Sequence, residues 1–136
     1  MKPNYDFTNK VVYVTKKFSF SAAHQIFGCK KCQEQLHGHN YVVEVTVKGS
    51  LNKDGFLIDL DKLESLINTH VIFKLDHSVL NDCMKPLNPT VELLAFYLFH
   101  EIETCLHICE CTANLTIACV TVFETESYSA TIQGGT

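Results

Sequence analysis

The sequence predicts an α+β domain: a four-stranded antiparallel sheet with two helices on one face. Three observations predict it. Strand-like segments come in a pair near the start and a pair near the end, and two stripes with helical spacing lie between them.

Val11 to Phe20 (VVYVTKKFSF) is rich in β-branched and aromatic residues and reads as the first strand. Tyr41 to Gly49 alternates more cleanly, with Val43, Val45 and Val47 facing one way and Glu44, Thr46 and Lys48 the other. A polar loop bearing cysteines and histidines, roughly Ile26 to His39, joins them. Ser50 to Gly55 carries turn chemistry. Asp59 then fits a helix N-cap ahead of Leu60, Leu63, Leu66, Ile67 and Val71 at helical spacing. Leu75 to Asn88, with Asp76, His77 and Pro86, reads as a connecting stretch. Pro89-Thr90 opens the second helix, capped by Thr90, with Leu94, Leu98, Ile102 and Leu106 as its buried stripe. Leu115 to Glu124 and Tyr128 to Gln133 are the last two strands. No repeat, linker or low-complexity segment divides the chain, so residues 1–136 read as one domain. Both sheet edges are unpaired in a monomer, which predicts association through strands.

Composition excludes several classes. Apolar residues make up 46% and charged residues 19%, ordinary for a globular protein, and the net charge of −4 offers no basic footprint for nucleic acid. An anionic substrate would need local cations, for which Lys16, Lys17, Lys30 and Lys31 are placed. No run approaches the ~20 apolar residues of a membrane span, and Met1 to Lys10 is polar without a stretch of signal-peptide length, so the cytosol is the expected compartment. The seven cysteines are odd in number and are expected to be reduced thiols.

His37-Gly38-His39 places two imidazoles two residues apart, on one side of an extended chain. His24, at the end of the first strand, becomes a third ligand if the two strands pair. Three neutral nitrogens form a familiar catalytic zinc set with an open fourth position, and Gly38 removes a side chain between two of them. Two other readings stand beside this one: polar loop histidines that hold no metal, and a zinc knuckle begun by Cys29-x-x-Cys32 and His37. The knuckle lacks a fourth ligand, since Val42 occupies the position where one is needed.

Five blocks in register carry a resemblance over about Val14 to Ile132. They are Phe20-Ser21-Ala22-Ala23-His24 with Cys32 and Leu36-His37-Gly38-His39-Asn40-Tyr41; Gly55 to Leu60; Leu75-Asp76-His77 with Leu80-Asn81; Pro89-Thr90-Val91-Glu92 with Leu94-Ala95; and Val122-Phe123-Glu124-Thr125. Together they resemble the 6-pyruvoyl tetrahydropterin synthase family, including its 6-carboxytetrahydropterin synthase branch.

The resemblance implies the tunnelling fold, with sheets joined edge to edge into a barrel in a homohexamer built from two trimers, and active sites between subunits. It implies a Zn²⁺-dependent lyase acting on 7,8-dihydroneopterin triphosphate, a small-molecule substrate, in tetrahydrobiopterin or folate synthesis. His24, His37 and His39 would hold the zinc. Glu124 would anchor the pterin, with Thr90 and Glu92 lining the pocket, and Asp76 and His77 would assist the catalytic base. That base is a cysteine in most of the family. Here Cys32 stands five positions before His37, while Glu34, three before it, resembles a branch in which glutamate takes the role and the side chain is cleaved to a 6-hydroxymethyl pterin. Both candidates stay open. The 6-carboxytetrahydropterin synthase reading ranks below them, because Gln33 stands where that branch has its cysteine. The alternative of another class is a non-catalytic zinc-binding assembly protein, against which the presence of Asp76, His77 and Glu124 argues.

Overall fold

The computed structural model describes residues 5–28, 35–109 and 114–135. Two long strands organise it. β1 (Val11–His24) and β2 (His37–Ser50) pair antiparallel along their whole length, from Val11 opposite Ser50 to His24 opposite His37. The predicted loop is therefore shorter than expected: His37, Gly38 and His39 belong to β2. The alternation that buries Val47, Val45, Val43 and Tyr41 continues backward through His39 and His37, so the strand does not stop where the apolar residues do.

Helix α1 (Leu60–Ile67) starts where expected, with the Asp59 carboxylate accepting from the Asp61 and Lys62 amides. It runs on through a π-helical turn, Asn68–Ile72, into the short α2 (Phe73–Leu75). The stretch expected to be a plain connection contains β3 (Ser78–Val79) and the single-turn α3 (Leu80–Cys83). α4 (Val91–Ile108) is capped by Thr90, whose hydroxyl oxygen accepts from the Leu93 amide. β4 (Leu115–Phe123) and β5 (Ser129–Gln133) complete the chain.

The sheet order is β3-β1-β2-β4-β5. This corrects the expected four-stranded antiparallel sheet: among the described residues there are five strands, and β3 runs parallel to β1 beside Ala22 and Ala23. Backbone ties cause the addition. The His77 amide donates to the Ser21 carbonyl at 2.6 Å, and the Ser21 amide donates to the Asp76 carboxylate at 2.9 Å. Two paired residues are too few to leave an alternating pattern in the sequence.

One sheet face packs against the helices, with Phe18, Phe20, Val43 and Val45 meeting a layer that includes Leu63, Ile67, Leu94, Leu98 and Ile102. The other face is polar, with the Thr15–Thr46 and Thr121–Thr131 hydroxyl pairs each 2.7 Å apart. β4 carries a bulge: Val47 pairs with Ile117 and Thr46 with Cys119, leaving Ala118 without a partner on β2. Core residues sit at Leu115 and Ile117 before the bulge and at Val120 and Val122 after it. Gly49 sits where a Cβ would overlap the Asn114 carbonyl, so this strand end needs glycine. Among the described residues, no helix is long and apolar enough to cross a membrane.

Leu98 is fully buried on α4, so Leu98→Ala should destabilise the protein by about 2–5 kcal/mol in chemical denaturation. Asp59→Ala, which removes only a cap, should cost about 1 kcal/mol.

Candidate active site

The buried row of β2 changes character at one end. From Val47 to Tyr41 it is apolar; His39 and His37 then follow on the same face, and β1 brings His24 opposite His37. The three imidazoles close the end of the hydrophobic core, with ring centroids 4.6 to 5.1 Å apart. One nitrogen from each lies within 4.8 Å of the others. His24 is fully buried, and His37 and His39 are partly covered.

Partners fix the protons. His24 Nδ1 lies 2.8 Å from the Pro89 carbonyl oxygen, which can only accept, so Nδ1 carries the proton and donates it there. The Tyr41 hydroxyl oxygen is 3.2 Å from the same nitrogen. His37 Nδ1 likewise donates to the Gln35 carbonyl at 3.1 Å. In the neutral rings both Nε2 atoms therefore present lone pairs, and they face each other at 3.1 Å. Two lone pairs at that distance repel; a proton on one of the two nitrogens or a metal ion between them removes the repulsion. His39 Nε2 is buried without a hydrogen-bond partner. Tetrahedral zinc holds neighbouring nitrogens about 3.3 Å apart, close to the His24–His37 spacing. The donor set fits a metal ion.

Electrostatics agree. Burial holds the His24 ring below the usual histidine range, against the opposing pull of the Pro89 carbonyl and Glu124. The ring therefore stays neutral, as a ligand must. Burial first, then the Glu124 charge, pushes the Tyr41 hydroxyl well above the usual tyrosine value, so it keeps its proton. The Phe20 ring stacks on Tyr41 with centroids 5.1 Å apart and holds the phenol in place.

Glu124 follows Phe123 at the end of β4, and its carboxylate oxygens lie 3.8 Å from His39 Nε2 and 4.0 Å from His24 Nε2. The β4 bulge puts it there. Continued from Leu115 and Ile117, the alternation would turn Phe123 toward the imidazoles; the extra residue turns Glu124 instead. Glu124 and His39 also border an open cleft of about 700 Å³, which Lys17, Asn40, Glu44 and Thr125 help to line.

The other expected residues are placed differently. Asp76 and His77 form a pair, His77 Nδ1 donating to the Asp76 carboxylate at 3.1 Å, on the edge of β1 away from β2. The Ser21 amide is the main cause of an Asp76 carboxyl held below the usual range, with His77 adding to it. His77 has a left-handed φ of 62° and a side chain 83% exposed. Among the described residues, no hydrogen bond or ion pair joins this pair to the three imidazoles. Thr90 is engaged as the α4 cap, and Glu92 is exposed in that helix's first turn. Lys16 pairs with Glu64 at 3.4 Å, and Lys17, the other described lysine of the four expected cations, is the one at the cleft. Cys32 and Glu34 lie outside the described residues, as do Cys29, Gln33, Lys30 and Lys31. Gly38 is not sterically required, because a Cβ there would meet only the Ala22 carbonyl oxygen at 3.4 Å.

Several supporting groups were given no role by the sequence, although Asn81 stands in one of its matching blocks. The Pro89 carbonyl that orients His24 is backbone and has no residue signature. Asn81 accepts from the Gln25 amide and donates to the Gln25 carbonyl, both at 2.8 Å. Asn88 does the same to Phe27 at 3.0 and 2.7 Å. These two amide clamps fix the chain just beyond His24.

The profile of the 6-pyruvoyl tetrahydropterin synthase family matches residues 13–135. The chain belongs to this family. The 6-pyruvoyl tetrahydrobiopterin synthase of Dictyostelium discoideum is 30% identical over 108 residues, covering 69% of this chain and 80% of the relative. The dihydroneopterin monophosphate aldolase of Pyrococcus furiosus is 36% identical over 96 residues, covering 69% and 75%. Among solved structures, the Caenorhabditis elegans 6-pyruvoyl tetrahydropterin synthase superposes with a TM-score of 0.81 at 27% identity, covering 96% of this chain and all of that one. Membership in the 6-pyruvoyl tetrahydropterin synthase family supports pterin synthase function, and the imidazole cluster lies within the matched span.

The His24 shift sets a pH dependence for the metal-free protein. Its folded pKa is depressed, so the stabilising term is fully present above the ordinary value of about 6.5. Below that pH the unfolded chain takes up a proton that the folded chain refuses. Stability should fall until the buried ring itself protonates, and His24→Asn should flatten that segment of a denaturation-midpoint profile against pH.

Proposed function

We propose that this chain is a zinc-dependent pterin synthase acting on 7,8-dihydroneopterin triphosphate, with His24, His37 and His39 as the metal ligands. The observation that carries the reading is the convergence of one ring nitrogen from each of three histidines, with the His39 Nε2 buried without a hydrogen-bond partner, beside a carboxylate that borders a cleft. Three neutral imidazoles with an open fourth position support zinc as the ion. Bound there, zinc would supply Lewis acidity toward the hydroxyls of the substrate side chain.

The remaining work falls to the chain's own side chains. Glu124 is a mostly covered carboxylate at the cleft, suited to accept from the ring N–H and amino donors of a pterin in a forked arrangement. Lys17 supplies a cation at the same cleft for a phosphate. Thr90 and Glu92 stand at the start of α4, next to the Pro89 carbonyl that orients His24, and line the pocket in this reading. Asp76, ionised and fixed by the Ser21 amide, holds the proton on His77 Nδ1 and leaves Nε2 to exchange protons. The exposure of His77 supports an active site completed between protomers, in a homo-oligomer of hexamer type. The open edges at β5 and β1 are where sheets would join. One core shared by all the layers supports a single domain over residues 1–136, and a cytoplasmic setting suits a small anionic substrate and reduced thiols.

The base that removes a proton from the substrate is Cys32 or Glu34, and the choice separates two reactions. With Cys32 the main outcome is triphosphate elimination to a pyruvoyl pterin. With Glu34 it is side-chain cleavage to a 6-hydroxymethyl pterin, a reading supported by the name of the Pyrococcus relative, an aldolase.

Purified protein should deplete dihydroneopterin triphosphate, and a chelator should stop it; no turnover by zinc-loaded protein would leave a non-catalytic binding protein. Glu124→Gln swaps an acceptor for a donor and should weaken pterin binding by about 30- to 1,000-fold, corresponding to roughly 2–4 kcal/mol. Unchanged affinity would place the pocket elsewhere. Mass spectrometry of the products should show Glu34→Ala losing the hydroxymethyl product while Cys32→Ala keeps it, or the reverse pattern for the pyruvoyl product.

A further inference from the structure

A second group of metal-type donors lies on the helical layer, in elements that the pterin site does not use. Cys105 lies in the last turn of α4 and Cys109 is the C-cap four residues on, its amide bonded to the Cys105 carbonyl, so their side chains lie on one face. The π-helical turn Asn68–Ile72 packs beside them and carries His70. One donor atom from each of His70, Cys105 and Cys109 lies within 4.8 Å of the others.

The three differ in exposure in a way that suits an ion entering from solvent. Cys105 is buried and its thiol donates to the Leu66 carbonyl at 3.6 Å, which pins α4 to the last turn of α1, two residues before the π turn. Cys109 is partly covered, and His70 is exposed. A hollow of about 120 Å³, bordered also by Lys74, Glu101 and Thr104, opens onto the group. The π turn itself is informative. Such insertions cost helix regularity and are frequently found at functional sites, and this one sits on the only described histidine that faces the two thiols.

We propose that His70, Cys105 and Cys109 form a second metal site, selective for a thiophilic divalent cation such as zinc. Two thiolates and a neutral imidazole balance the charge of a divalent ion, leaving the fourth position to water from the hollow. Tetrahedral zinc holds two thiolates about 3.8 Å apart and a thiolate and imidazole about 3.5 Å apart, within reach of modest rotation of the exposed His70 ring and the Cys109 side chain. Soft sulfur donors select zinc over magnesium or calcium. The ion would cross-link the C-terminal end of α4 to the end of the α1 layer. The site is independent of the three imidazoles that close the core, and the thiolates give it a spectrum that an all-imidazole site lacks.

Cobalt(II) titration of the metal-free full-length protein reads this directly. The parent should develop a thiolate-to-cobalt charge-transfer band, retained when Cys29→Ser and Cys32→Ser are combined. The band should fall by about half or more in Cys109→Ser, and His70→Ala should weaken cobalt binding at least tenfold, with far-ultraviolet circular dichroism confirming that each variant is folded. No thiolate band in the parent, a band abolished by the Cys29 and Cys32 substitutions, or a band unchanged in Cys109→Ser would each overturn the assignment. A protein that shows this band but does not turn over a pterin keeps the second site and loses the proposed reaction, so the two readings fail separately.

Discussion

The pairing of β1 with β2, with His24 opposite His37, is the constraint on which the rest of the site depends. Side chains alternate with period two, so this register places Phe18, Phe20, Ala22 and His24 on one face with Val43, Tyr41, His39 and His37. A one-residue slip would turn both the valines and the imidazoles to solvent together. The same hydrophobic demand that buries Val43, Val45 and Val47 therefore holds three imidazoles in one cluster. Core and site are two ends of a single row.

That arrangement costs stability unless something fills the gap between the rings. A fully buried imidazole loses hydration, and two lone pairs facing at 3.1 Å repel. The Pro89 and Gln35 carbonyls take the Nδ1 protons, so neither ring can relieve the contact by changing tautomer without abandoning a hydrogen bond. A cation converts the repulsion into coordination, and its binding free energy then belongs to the folded state. The neighbours divide the remaining tasks. Tyr41 stays protonated against His24, Glu124 contributes negative charge at the cleft, and the Asn81 and Asn88 amides hold the chain that leaves β1.

The Asp76–His77 pair shows how a short segment is placed by backbone bonding and not by burial. Its two ties to Ser21 bring it to the edge of β1, and the added strand makes the sheet mixed. His77 accepts a left-handed backbone there and projects outward. The helical layer carries its own irregularity in the π turn, where His70 meets two cysteines of α4.

The sequence by itself determined the elements whose pattern is long enough to register: the alternation in β2, the stripes and caps of α1 and α4, and the strand pair at the end of the chain. It also grouped His37 with His39, because a two-residue spacing in an extended chain faces one way, and the family resemblance added His24. Tertiary structure decided the rest. It extended β2 back through the histidines, since pairing with β1 is a non-local bond that no local propensity encodes. It turned Glu124 toward His24 and His39 through one bulged residue, Ala118, which reads in sequence as one more small residue in a strand. It brought Pro89 to His24 across 65 positions and added a strand of two residues, contacts made by backbone groups that every residue carries and that therefore leave no mark in a sequence.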